Sequence, residues 1–84
     1  MEAIMKPNSW ADMLAMDPGL AEIDRMLHVL KGHIARGANR WHSYESAKSL
    51  LKARVGRFAN PDSYFTDERS YEIGIRHIEK VLEL

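Results

Sequence analysis

The stretch that most constrains this chain is Asp17–Gly37, DPGLAEIDRMLHVLKGHIARG. Asp17 can accept backbone N–H groups as an N-cap, and Pro18 suits a first helical position, where its missing donor is not needed. Leu20, Ile23, Leu27, Leu30 and Ile34 follow at helical spacing. At about 100° per residue they fall within roughly 80° of one another, which makes one apolar stripe. Ala38 and Trp41 stay in phase with it. Gly32 and Gly37 each cost a helix interior about 1 kcal/mol, however, and Gly37 offers a left-handed stop after Arg36. The spacing therefore predicts a helix over 18–36, a loop over 37–42 and a fresh start with Ser43 as N-cap.

Two more helices follow by the same reasoning. From Ser43, the residues Tyr44, Ala47, Leu51, Val55 and Phe58 share a face, and Asn60-Pro61-Asp62 ends the run, giving a helix over 44–58. Tyr64 and Phe65 are apolar residues in the connection, expected to fold back onto the core. Thr66 caps a third helix over 67–83, with Asp67 and Glu68 suited to the positive end of its dipole. Tyr71, Ile75, Ile78 and Leu82 line its apolar face, and Gly74 beside them allows close approach of another helix. Glu72, Arg76 and Lys80 stack on the solvated side. Upstream, Ser9 and Asp12 approximate a capping box, so Trp10–Met16 forms a short helix over 10–16 that can lie over the bundle as a lid. Period-two alternation is absent. The fold class is all-α: a small three-helix bundle with a short N-terminal helix, one helical domain over 1–84.

Eighty-four residues bury only about 60–65% of their unfolded surface, which leaves one modest core and little material for a deep cleft. The chain has no cysteine, which excludes disulfides, thiolate zinc sites and cysteine nucleophiles. The N-terminal MEAIMKPNSW lacks the basic and apolar regions of a secretory signal, and no apolar run approaches the roughly 20 residues of a membrane helix. A cytoplasmic location with no membrane partner is expected, or the host cytoplasm for a phage-encoded protein.

The four histidines, His28, His33, His42 and His77, show no E-x-x-H or H-x-x-x-H spacing, and Asp24 with His28 reads as an ordinary helix-face pair. No metal site is expected. No nucleophile elbow, phosphate loop or dinucleotide fingerprint is present, so no catalytic residue and no cofactor is assigned and an enzyme is not expected.

Net charge is zero but segregated. Residues 1–30 carry −3, residues 31–57 carry +6 and residues 58–84 carry −3. The plainest reading is a basic middle helix held between two acidic neighbours. The leading functional expectation is a small non-enzymatic protein that binds a macromolecular partner, above all a protein. Such an adaptor or inhibitor, for instance a phage-encoded antagonist of a host defence complex, would present acidic faces to a basic groove. Those faces are Asp12, Asp17, Glu22 and Asp24, or Asp62, Asp67, Glu68 and Glu72. The alternative is a nucleic-acid-binding helical module that uses the basic segment, with Arg36, Arg40, Trp41, Lys48 and Lys52. Against it, Trp41 continues the first stripe and Tyr44 begins the next, so both rings are expected in the core. The connection is also longer than a helix-turn-helix turn. Spare apolar residues, namely Val29, Ile73 and Leu84 with Met1, Ile4, Met5, Met13 and Met16, suit either a protein interface, a homodimer included, or an N-terminal helix that fills the core.

Overall fold

A computed structural model describes residues 6–55, 65 and 68–84. It contains α1 (Trp10–Met16), a 3-10 turn (Pro18–Leu20), α2 (Ala21–Ala35), α3 (Arg40–Arg54) and α4 (Glu68–Leu82), with no strand among the described residues. The Ser9 hydroxyl accepts the Asp12 N–H at 3.2 Å and starts α1, as its spacing predicts. Asp17 accepts the Gly19 N–H at 3.1 Å, but the turn it caps is a tight 3-10 one that precedes α2.

The expected break after α2 is present, and it is shorter than predicted. Gly37 has φ +104°, its N–H donates to the Ile34 carbonyl and the Ala38 N–H donates to the His33 carbonyl, at 3.0 and 2.9 Å. This pair of bonds is a Schellman stop, and it needs the left-handed residue that glycine supplies. Asn39 then caps α3 at once, accepting the His42 N–H at 3.0 Å. Residues 36–39 are thus the whole connection. Ser43 is not a cap; it lies inside α3, where its hydroxyl donates back to the Asn39 carbonyl at 3.2 Å. At the other end, Val55 is extended (φ −136°, ψ 137°), so α3 stops at Arg54 instead of running to 58. Phe58, the Asn60-Pro61-Asp62 stop, Tyr64 and the Thr66 cap lie outside the described residues.

Side-chain pairs set the topology. Arg54 meets Glu22 at 3.3 Å, so the end of α3 lies beside the start of α2. Tyr44 meets Glu79, and Gly74 packs on Leu51, so α4 runs antiparallel to α3. Asp24 meets His77, while Lys31 and Ile34 share a cleft with Val81 and Leu82, so α4 runs parallel to α2. The three long helices therefore go up, down and up, and α1 covers the seam between α2 and α4 with Trp10.

Leu20, Ile23 and Leu27 are buried to 1% or less, as the stripe requires, whereas Leu30 and Ile34 are only partly buried toward the Gly37 end. Met13 and Phe65 complete the core, so α1 fills the interior as well as covering it. In α4 the buried set is Ser70, Gly74, Ile78 and Leu82, while Tyr71 and Ile75 are half-buried. The helix turns Gly74 to Leu51 of α3. Among the described residues, no helix is long and apolar enough to cross a membrane.

Candidate protein-interaction face

Trp41 is the second residue of α3, and its phase is set by that helix. At about 100° per residue it lies roughly 90° from the mean direction of Tyr44, Ala47 and Leu51. It is therefore exposed, at 58%, and not core as its agreement with the α2 stripe suggests. Its indole tilts against the Tyr44 ring at 5.3 Å and 50°. Tyr44 is buried, as expected, and anchors the contact from below: its hydroxyl donates to the Glu79 carboxylate at 3.1 Å. Burial, then the hydrogen bond to Glu79 and the charge of that carboxylate, push the Tyr44 phenol above its usual range. The Lys48 ammonium lies 5.0 Å from the centre of the same ring.

Tyr44 and Lys48, without Trp41, also line a groove of about 570 Å³ along the α3–α4 seam. Glu68, Glu72 and Glu79 give it acid, Lys48 and Arg76 give it base, and Tyr71 and Ile75 give it an apolar wall. Glu68 and Glu72 belong to the second predicted acidic set; Asp62 and Asp67 of that set lie outside the described residues. Glu79 is the member the sequence reading missed. Its spacing from Glu68 and Glu72, eleven and seven residues, places all three on one helical face and was a readable signal.

The first predicted acidic set has local work. Asp12 accepts the Asn8 N–H at 2.9 Å, Asp17 caps the 3-10 turn and Glu22 pairs with Arg54. Asp24 pairs with His77, not His28: its two oxygens take the Trp10 indole N–H at 3.0 Å and the His77 Nε2 at 2.6 Å. The Trp10 and His77 rings stack at 4.7 Å, nearly parallel. Fifty-three residues separate Asp24 from His77, so no local spacing could show the pair.

Of the alternative basic set, Arg36, Arg40 and Trp41 are exposed together around the 36–39 turn. Lys52 is exposed three helical turns away, about 18 Å along α3 from Arg40, and Lys48 pairs with Glu45 at 3.7 Å. Of the clamp expected for a basic helix between two acidic ones, the described residues show the pair of Arg54 with Glu22, which joins α3 to α2. Lys31, Arg36, Arg40 and Lys52 have no ion-pair partner among the described residues. Val29 and Leu84 are exposed and Ile73 is half-buried; Met1, Ile4 and Met5 lie outside the described residues. No group of three metal-ligating side chains converges among the described residues.

Comparison with family profiles, curated proteins and solved structures finds no match.

Proposed function

We propose that this protein works as an adaptor or inhibitor by binding a partner protein on its α3–α4 face. The observation that carries the reading is Trp41, more than half exposed and braced by Tyr44, a residue that also lines the charged groove between α3 and α4. Tryptophan and tyrosine are enriched among the few residues that dominate binding energy at protein interfaces, because a large rigid ring gains contact area at little entropic cost. Glu68, Glu72 and Glu79 would meet a basic rim on the partner, speeding association and selecting against acidic surfaces. Affinity capture from the source cell, run in parallel with the wild-type chain and Trp41→Ala, tests it. A partner held by the wild type and lost by the folded variant is the expected result. Identical captured proteins on both would remove Trp41 from the interface.

The exposed cluster of Arg36, Arg40 and Trp41 favours a second reading, in which phosphates meet the two cations and a base stacks on the indole. Titration against labelled DNA and RNA at two salt concentrations separates the two. Tight binding that weakens steeply with salt would replace the protein-binding reading, and none up to tens of micromolar would discard the nucleic-acid one.

A further inference from the structure

The last turn of α2, the first turn of α3 and the end of α4 meet at one end of the bundle around a cleft of about 200 Å³. Its floor is aliphatic, with Ile34 from α2 and Val81 and Leu82 from α4, and exposed Ala35 beside them. Lys31 and Arg40 stand on the rim, exposed and with no ion-pair partner among the described residues. Glu83 completes the rim in an unusual backbone state. Its φ is 59°, the left-handed position of a Schellman stop, closed by the Leu84 N–H on the Glu79 carbonyl at 2.9 Å. Glycine would occupy that position without strain. The chain instead places a carboxylate there, beside two cations it does not neutralise.

We propose that this cleft binds an acidic peptide segment of a partner protein, with one aliphatic side chain on the floor and carboxylates on Lys31 and Arg40. The volume lies below the roughly 300–1,000 Å³ of small-molecule pockets and suits a single side chain. The aliphatic floor removes an apolar group from water, and the two cations select acidic flanks. A nucleic-acid strand fits less well. No aromatic ring lines the cleft for a base to stack on. The Glu83 carboxylate can accept a peptide N–H, a donor that a phosphodiester backbone lacks. The site uses neither Trp41 nor the α3–α4 groove, so it stands or falls independently of the reading given for that face.

The test uses the whole 84-residue chain and a blocked, fluorescein-labelled Asp-Glu-Leu-Asp-Glu peptide. Fluorescence polarisation at low and high salt measures affinity, and amide NMR shifts locate the contact. Saturable binding that weakens with salt is expected, with shifts confined to the ends of α2 and α4 and the start of α3. Replacing the peptide leucine by serine, or reversing charge in Lys31→Glu or Arg40→Glu, is expected to weaken it by about tenfold. Absence of shifts at about 1 mM peptide, equal affinity for the serine peptide, or shifts elsewhere would overturn the proposal. So would tighter binding of an oligothymidine to the same residues. If a charge-reversed variant fails to fold, the wild-type shift map and the peptide pair still decide.

Discussion

Two interior helical glycines make opposite predictions, and Gly74 is the sharper of them. A Cβ built on Gly74 falls 2.7 and 2.8 Å from the two Leu51 methyls and 3.3 Å from its Cγ. Carbon atoms pack at about 3.5–4.0 Å, so Gly74→Ala drives roughly 1 Å of overlap into a leucine with no exposed surface. Alanine recovers about 1 kcal/mol of helix propensity. Overpacking a filled core costs about 1–3 kcal/mol, and two methyls in contact put this site toward the upper end. The net expectation is a loss of about 1–2 kcal/mol, or roughly 5–15 °C in melting temperature for a domain of this size. At Gly32 the same methyl meets only the Arg36 guanidinium, at 3.5 Å or more, so Gly32→Ala is expected to gain about 0.5–1 kcal/mol. Urea and thermal melts by circular dichroism read both. A Gly74→Ala, Leu51→Ala double variant isolates the cause, because removing Leu51 relieves the overlap. It is expected to be less destabilised than the sum of the singles by about 1 kcal/mol or more. A Gly74→Ala chain that melts at or above the wild type would show that α3 and α4 do not approach as closely as described.

Other perturbations follow from the same contacts. Leu27→Ala, mid-stripe in α2 and 1% exposed, is expected to cost about 2–5 kcal/mol in a urea melt, and an unchanged midpoint would refute its place in the core. Asp24→Ala strands the Trp10 indole N–H and His77 at a part-buried site, at a cost of about 1–2 kcal/mol; hydrogen exchange should quicken in α1, and unchanged exchange there would deny that Asp24 holds it. Tyr44→Phe is expected to cost about 1 kcal/mol at neutral pH. The folded phenol titrates above its unfolded value near 10, so its contribution is complete below that pH and fades as pH rises through the folded value. The gap in melting temperature between wild type and Tyr44→Phe should therefore stay constant below about pH 10 and narrow above it, and a constant gap throughout would refute it. Glu83→Gly is expected to raise stability by about 1 kcal/mol by relieving its left-handed backbone, and a lower melting temperature would show that its side chain holds the end of α4 in place.

What could be read from the sequence is what local physics decides. Ser9 and Gly37 act through bonds within five residues, and Leu20, Ile23 and Leu27 act through a period that only a helix satisfies. The start of α3 shows where such reasoning fails. Asn39 and Ser43 are both good capping residues, and a reading that kept Trp41 on the α2 stripe had reason to choose the later one. The Schellman stop at Gly37 decides against it, because it delivers the chain to Asn39 already reversed. The four-residue difference changes what the helix exposes. Starting α3 at Arg40 instead of 44 turns Trp41 away from α2 and out to solvent. The α4 face is as expected at Ile78 and Leu82, and at Gly74, which packs closely on Leu51; it differs at Tyr71 and Ile75, which hydropathy favours for the core and which are only half-buried, while Ser70 is buried. Tyr71 and Ile75 lie along the groove with Glu68, Glu72 and Glu79. The proposed interaction face thus includes Trp41, Tyr71 and Ile75, which periodicity assigned to the core. Their exposure follows from one glycine that stops a helix and another that lets two helices touch.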